Sequence, residues 1–382
     1  VWRAYRWGED GLLGICDRQC RLCFSIALWN GVDPILKERL FGLTGPEGNH
    51  GEDVKEAYYY IDSTPTHSYM KALYKYPQAA YPYEHLRTEN ARRSRLETEY
   101  ELTDTGIFDD SRYFDVQMEY AKAAPEDIAI RITISNRSSK PATIDVLPTW
   151  WFRNTWSWGP SDECPAERPK LESVGPSRLL AQHETLGNFQ IDADVGPEGT
   201  LPTWLFTENE TNTWRIEDPS SRRPSCKDAI HLAVVDGLEG VVNPQPFGTK
   251  ASARYRLTVP AQDSAVLQLR MTAKDRATDQ SFGDGFETVF QQRIAEADEF
   301  AALQYEDDMS ADEQQVIRQA NAGLLWTKQF YHYVVPRWLG VSKDGTQPRE
   351  RAIDRNRDWQ HLFNRDIISM PDKWEYPWYA AW

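Results

Sequence analysis

In the stretch DIAIRITIS, Ile128, Ile130, Ile132 and Ile134 alternate with other side chains, and this period of two is that of a strand with one face buried. The alternation returns at Tyr255, Leu257 and Val259 in ARYRLTV, and at Ala265, Leu267, Leu269 and Met271 in AVLQLRM. Shorter apolar runs occur at LCFSIALW, RYFDVQMEYA, ATIDVLPTWWF, NFQID, TWLFTE and IHLAVV, separated by turn clusters such as NRSSKP, VGPEG and EDPSSRRPS. Residues 1 to about 270 read as all-β, and many strands with few helical patterns predict a large antiparallel sandwich. At 382 residues the chain exceeds one compact domain, so a second unit or a very large sandwich is expected.

Near residue 280 the period changes. In GDGFETVFQQRIAEADEFAAL, the apolar set Phe286, Val289, Phe290, Ile294, Ala297 and Ala301 follows helical spacing. A second helix is predicted to open at Ser310, with Glu313 completing a capping box. It is expected to run through Val316, Ala320, Leu324 and Phe330, and to stop at Pro336 and Gly340. The polar stretch VSKDGTQPRERAIDRNRD then has the mixed charges of a solvated connection. A β unit therefore feeds an α unit, and the chain, which stops inside an aromatic-rich segment, is expected to be part of a longer polypeptide.

Composition narrows the ligand. With 43 Lys+Arg against 58 Asp+Glu, a formal −15, the chain is poorly suited to a nucleic-acid backbone. No apolar run approaches the ~18–20 residues of a membrane helix. Fifteen Trp and 18 Tyr exceed ordinary core needs, and flat amphipathic rings in an acidic chain suit a neutral ligand that stacks, sugar foremost. Large sandwiches also consume aromatics in their cores, which accounts for part of the excess. Cys16, Cys20 and Cys23 form C-x3-C-x2-C, a spacing shared with iron–sulfur sites, but Cys23 lies in the strand-like LCFSIALW and is expected to pack in a core. The basic cluster Arg92, Arg93 and Arg95 is flanked by Glu89, Glu97 and Glu99, which predicts a solvated face. No Walker loop, dinucleotide glycine turn or H-E-x-x-H motif occurs.

Three stretches carry a resemblance. They are NGVDPILKERLFGLTGPEGNHGEDVKE with the nearby YYIDSTPTHSYMKALYKYPQ; YELTDTGIFDDSRYFDVQMEYAKA with VLPTWWFRNTWSW; and the terminal MPDKWEYPWYAAW. Together they resemble glycoside hydrolase family 63, which includes processing α-glucosidases and mannosylglycerate hydrolases. The resemblance implies an N-terminal β-supersandwich over residues 1–272, a helical linker over 273–308 and the start of an (α/α)6 barrel over 309–382. It also implies hydrolysis of α-glycosidic bonds with inversion, by one carboxylic acid and one carboxylate, with no cofactor and no metal in the chemistry. Inversion needs the two carboxyl groups roughly 6.5–9.5 Å apart, leaving space for a water. The family's acid is an Asp that follows a segment like KWEYPWYAAW, so the resemblance implies an Asp directly after Trp382. No catalytic residue is expected within the chain.

The expected partner is a neutral oligosaccharide or small glycoside, with neither nucleic acid nor membrane. Trp374, Tyr376, Trp378 and Trp382 are candidate aromatic walls of the sugar pocket, and Asp372, Lys373 and Glu375 candidate hydroxyl ligands. Asp372 suits a helix N-cap equally well. Asp372 and Glu375, one helical turn apart, are ~5–6 Å from each other at their β-carbons and cannot flank a glycosidic bond from opposite sides. Between Gly45 and Glu56, the side chains of Asn49, His50, Glu52, Asp53, Lys55 and Glu56 suit hydroxyl recognition, or else an internally bonded polar knot; Asn49 and His50 are retained as binding candidates. A non-catalytic carbohydrate-binding module and a glycoside phosphorylase are the competing expectations.

Overall fold

A computed structural model describes residues 11–43, 54–158, 167–212, 225–278, 280–339 and 357–369. Its body is a sandwich of two antiparallel sheets. The first sheet is built from β1 (Leu12–Cys16), β2 (Leu22–Trp29), β7 (Ala142–Phe152), β11 (Thr203–Thr207) and β13 (Lys250–Val259), in the order β1-β2-β7-β13-β11. The second sheet uses β3 (Tyr58–Ser63), β4 (Tyr69–Pro77), β5 (Tyr113–Ala124), β6 (Asp127–Asn136), β8 (Lys170–Gly175), β9 (Arg178–His183), β10 (Gly187–Ala193), β12 (Phe247–Gly248) and β14 (Ser264–Ala273). Its order is β12-β8-β9-β10-β14-β6-β5-β4-β3.

The alternating isoleucines explain the core. Ile130, Ile132 and Ile134 of β6 turn inward beside Leu267 and Leu269 of β14, and meet Ile26, Trp150 and Tyr255 of the facing sheet in one apolar cluster. Two of the tyrosine hydroxyls buried there find backbone acceptors, which offset the cost of desolvation. Tyr120 donates to Leu13 O at 2.6 Å and Tyr255 to Asp194 O at 2.7 Å. The outward Arg131 of β6 joins Glu119 at 2.9 Å and lies 4.1 Å from the Phe290 ring of the helix that covers this face.

Among the described residues, four helices of six or more residues dress the sandwich: α1 (Tyr83–Arg92), α2 (Ala229–Val234), α3 (Asp284–Ala302) and α4 (Ala311–Trp326). The helical spacing at Phe286, Phe290, Ala297 and Ala301 is that of the face α3 buries. Ser310 and Glu313 close the predicted capping box, with Ser310 N donating to Glu313 Oε2 at 2.8 Å. Helix α4 covers the edge strand β3, a place where unpaired backbone invites aggregation. There the Trp326 indole stacks on Tyr60 at 5.1 Å and donates to Asp62 O at 3.2 Å. His67 Nε2 lies 3.3 Å from Leu325 O, so this histidine is a packing residue of the same junction.

Three expectations are corrected. The second helix ends at Trp326, and Phe330 instead belongs to β15 (Lys328–Val334), paired antiparallel with β16 (Phe363–Ser369). Phe330 follows Trp326 by four residues, so helical spacing holds by coincidence; a distant strand supplies the hydrogen bonds, and the aromatic-rich KQFYHYV takes them. IHLAVV contributes helix α2, not a strand, because a short apolar run serves either state. The first 270 residues are not wholly β, since they contain both α1 and α2. Among the described residues no (α/α)6 barrel is formed.

The charged cluster near residue 92 behaves as expected: Glu89 pairs Arg92 at 2.5 Å and Arg93 at 3.2 Å. Asn136 and Asn209, the two Asn-x-Ser/Thr positions, are 1% and 3% exposed, so neither can accept a glycan in the folded chain.

Candidate functional site

Antiparallel pairing decides what gathers at one end of the five-stranded sheet. Cys16 faces Cys23, Leu22 faces Phe152, and Lys250 faces both Trp151 and Thr207. Chain leaving β1, β7 and β11 therefore collects residues 17–21, 153–158 and 208–212 at a single rim. Hydrogen bonds join them: Arg153 N donates to Arg21 O at 2.9 Å, and the Asn209 side-chain Nδ2 donates to Phe152 O at 2.9 Å.

Arg168 is the centre of this rim. Its Nη2 donates to Glu208 Oε2 at 2.7 Å and to Glu210 Oε1 at 2.8 Å. One nitrogen thus holds two carboxylates within two hydrogen-bond lengths of each other. The guanidinium also lies 5.0 Å from the Trp156 ring, whose Nε1 donates to Glu210 Oε1 at 3.1 Å. Behind them, Thr249 Oγ1 donates to Glu208 at 2.8 Å and Asn243 Nδ2 at 3.1 Å, which fixes that carboxylate from the interior side. Arg168 is 45% exposed and Glu210 18%, so the group is anchored yet reachable. Acceptor oxygens, a guanidinium fork and an indole are the donor, acceptor and stacking elements that a polyhydroxylated ring requires.

The β15–β16 ribbon docks beside the rim. Phe330 packs with Cys20, Cys23 and Trp151, the Arg153 guanidinium lies 5.6 Å from its ring, and Arg365 donates to Gln19 Oε1 at 3.1 Å. His332 stacks on Phe330 at 5.8 Å. Burial, then the charges of Arg153 and Arg365, push its pKa down to about 4. In the unfolded chain it would titrate near 6.5. Between those values the unfolded state binds the extra proton, so ribbon stability falls as pH drops from about 6.5 toward 4. Hydrogen exchange, corrected for its intrinsic pH dependence, should show residues 328–334 less protected at pH 5 than at pH 7. His332→Gln should remove that difference; equal protection at both pH values in the parent chain would refute it.

All nine binding candidates, Asn49, His50, Asp372, Lys373, Trp374, Glu375, Tyr376, Trp378 and Trp382, lie outside the described residues. What is described is how their flanks are held. β16 ends at Ser369, shortly before the terminal aromatic run, so that run starts from the docked ribbon. Gly42 and Val54 form an antiparallel bridge, and Lys55 N donates to Phe41 O at 2.9 Å, so the segment carrying Asn49 and His50 departs and returns at one point.

That point is clamped by buried charge. Glu56 accepts from Lys37 Nζ at 2.6 Å, Phe41 N at 2.9 Å and Tyr74 Oη at 2.7 Å. Lys37 Nζ lies 3.9 Å from the Tyr81 ring centre, and Tyr81 Oη donates to Lys55 O. Tyr76 and Tyr83 donate to Asp33 at 2.9 and 3.2 Å; burial raises the Asp33 pKa while the Lys37 charge opposes it. Lys55 reaches out to Glu99 and Glu101 at 2.6 and 2.7 Å. Lys55 and Glu56 are therefore members of the polar knot, and their side chains are unavailable to a ligand. The sequence reading passed over Arg168, Glu208 and Glu210; the WWFRNTWSW run was their one visible signal. Among the described residues no His, Cys, Asp or Glu cluster could hold a metal ion.

These features define an antiparallel β-sandwich with an arginine–carboxylate–indole cluster on one sheet end. No protein-family model matches the chain. It is 39% identical over 422 aligned positions to the uncharacterized protein YMR196W of Saccharomyces cerevisiae, an alignment that covers 100% of this chain and 38% of that protein. The chain thus spans about two-fifths of its relative's length. Among solved structures it is similar to a provisionally assigned aldose 1-epimerase of Escherichia coli K12 (7% identity, TM-score 0.26, covering 56% of this chain and 67% of that one). It is also similar to a provisionally assigned kojibiose phosphorylase from the human microbiome (7% identity, TM-score 0.28, covering 84% and 36%). Likeness this weak carries nothing about activity. Among the described residues, no helix is long and apolar enough to cross a membrane.

Proposed function

We propose that this chain is the sheet-rich part of an inverting α-glycosidase acting on small α-glucosides or α-mannosides, and that the Arg168 rim binds a neutral sugar. The observation that carries the sugar-binding part is Arg168 bridging Glu208 and Glu210 beside the Trp156 indole. An anion would meet two carboxylates there, whereas hydroxyls find both acceptors and donors. The type of reaction rests on the three stretches that resemble glycoside hydrolase family 63. In that reading the proton donor follows Trp382, and the terminal residues Trp374, Tyr376, Trp378 and Trp382 wall its pocket, assisted by Asp372, Lys373, Glu375, Asn49 and His50.

Losing one hydrogen bond to a charged group costs about 1.5–3 kcal/mol, roughly tenfold or more in affinity. Glu210→Gln should weaken binding of maltose or a methyl α-mannoside by about tenfold or more, and Trp156→Ala by about twofold to tenfold. Titration calorimetry or ligand-observed NMR on the chain decides this; unchanged affinity in both variants would remove the rim from the proposal. For a polypeptide that continues past Trp382, the anomer released first by an α-glycoside should be β, read by proton NMR. The same rim also favours a second reading. Both carboxylates already accept from Arg168, an arrangement for recognition without proton transfer, so a carbohydrate-binding module would use it equally well.

A further inference from the structure

The turn between β1 and β2 gathers three sulfur atoms. Asp17 organises it: its carboxylate accepts from Gln19 N at 3.0 Å, Leu22 N at 2.8 Å and Arg21 Nε at 3.0 Å. Cys16 and Cys23 consequently face each other across the hairpin, and Cys20, at a left-handed φ of 55°, folds back beside them. Cys20 Sγ and Cys23 Sγ are 3.6 Å apart, and Cys16 is the cross-strand partner of Cys23. None of the three is disulfide-bonded; Cys16 is exposed, whereas Cys20 and Cys23 are 7% and 2% exposed. The buried pair packs with Trp151 and with Phe330 of the ribbon.

Three thiols gathered at one turn, graded from solvent to interior, form a relay. We propose that Cys16, Cys20 and Cys23 are an oxidative modification site, in which a small-molecule disulfide reacts at Cys16 and the bond passes inward to join Cys20 and Cys23. The Cys16 thiolate attacks one sulfur of the disulfide RSSR, forming a mixed disulfide and releasing RS⁻. Cys20 then attacks the Cys16 sulfur, expelling the second RS⁻. Finally Cys23 attacks the Cys20 sulfur and returns Cys16 to its thiolate. Overall, two protein thiols are oxidised to one disulfide, RSSR is reduced to two RSH, and the two thiol protons go to the released RS⁻ groups. Entry at Cys16 follows from access. Interaction of the protonated Cys20 thiol with Cys16, together with burial, holds Cys20 up, and burial first of all does so for Cys23, so neither is the first nucleophile. Closing 3.6 Å to the ~2.05 Å of a disulfide moves sulfur beneath Phe330, so oxidation should loosen the ribbon.

The test treats the folded chain with oxidised glutathione and maps peptides by mass spectrometry without reduction. Expected are a transient glutathione adduct on Cys16, then a Cys20–Cys23 bond with two hydrogens lost and no adduct. Cys16→Ser should slow the inner bond at least tenfold, whereas Cys226→Ser leaves it unchanged. Hydrogen exchange of residues 328–334 should rise on oxidation. A stable adduct on Cys16 with no inner bond, or an inner bond that forms equally fast in Cys16→Ser, overturns the proposal. Near-UV circular dichroism confirms that the variant is folded, and the parent chain alone decides whether the inner bond forms.

Discussion

Replacing Glu56 by Ala should destabilise the sandwich by about 3–5 kcal/mol, the cost of leaving a buried charge without its partner. Both side chains of the Lys37–Glu56 pair are 0% exposed, and the 2.6 Å bond is one of three that the Glu56 carboxylate accepts. Removing it strands the Lys37 ammonium among tyrosine rings in a low-dielectric interior and leaves Phe41 N and Tyr74 Oη without that acceptor. The Tyr81 face and the Asp33 charge return only part of the loss. Replacing both partners, as in Lys37→Met with Glu56→Leu, should recover the part due to the stranded charge, because an apolar pair avoids its desolvation cost, while Phe41 N and Tyr74 Oη still lack their acceptor. Urea unfolding of the two singles and the double gives the coupling directly. A Glu56→Ala change costing under about 1 kcal/mol would mean that water reaches the pair.

The second large effect lies past the chain's last residue and rests on the proposed glycosidase reading. In a polypeptide that continues beyond Trp382, replacing the Asp expected there by Ala should lower kcat on unactivated α-glycosides by about 10²–10⁴-fold, the usual contribution of general acid catalysis. KM should change far less, since the acid protonates the leaving oxygen only as the bond breaks. Substrates with a good leaving group need little protonation and should lose least. Turnover that is undiminished on every substrate would end the family assignment. Sugar affinity at the Arg168 rim would remain to be judged separately, so the two parts of the proposal fail independently.

Much of the sandwich was legible because a strand with one buried face writes its period directly into the chain. Ile130, Ile132 and Ile134, Leu267 and Leu269, and Tyr255 and Leu257 were all read inward from alternation and are all core residues. The Ser310–Glu313 box was equally legible, since a cap is a contact between residues three apart. Cys23 was expected in a core and is found there. IHLAVV was misread because a six-residue, mostly apolar run satisfies a strand or a short helix alike, and packing against Leu36 and Leu147 decides between them. Phe330 was misassigned for a related reason: its strand exists through its pairing with residues 363–369.

What the sequence determined by itself was local: where most of the sandwich strands run, which of their faces turn inward, and where α3 and α4 begin. Period and capping are set within a few neighbours, so no long-range information is needed. Tertiary structure alone decided which strand ends share a rim, and so brought Arg168 to Glu208 and Glu210, Phe330 to the paired thiols, and Lys37 to Glu56. Each of those contacts depends on closing a loop whose ends find each other only when both sheets are assembled.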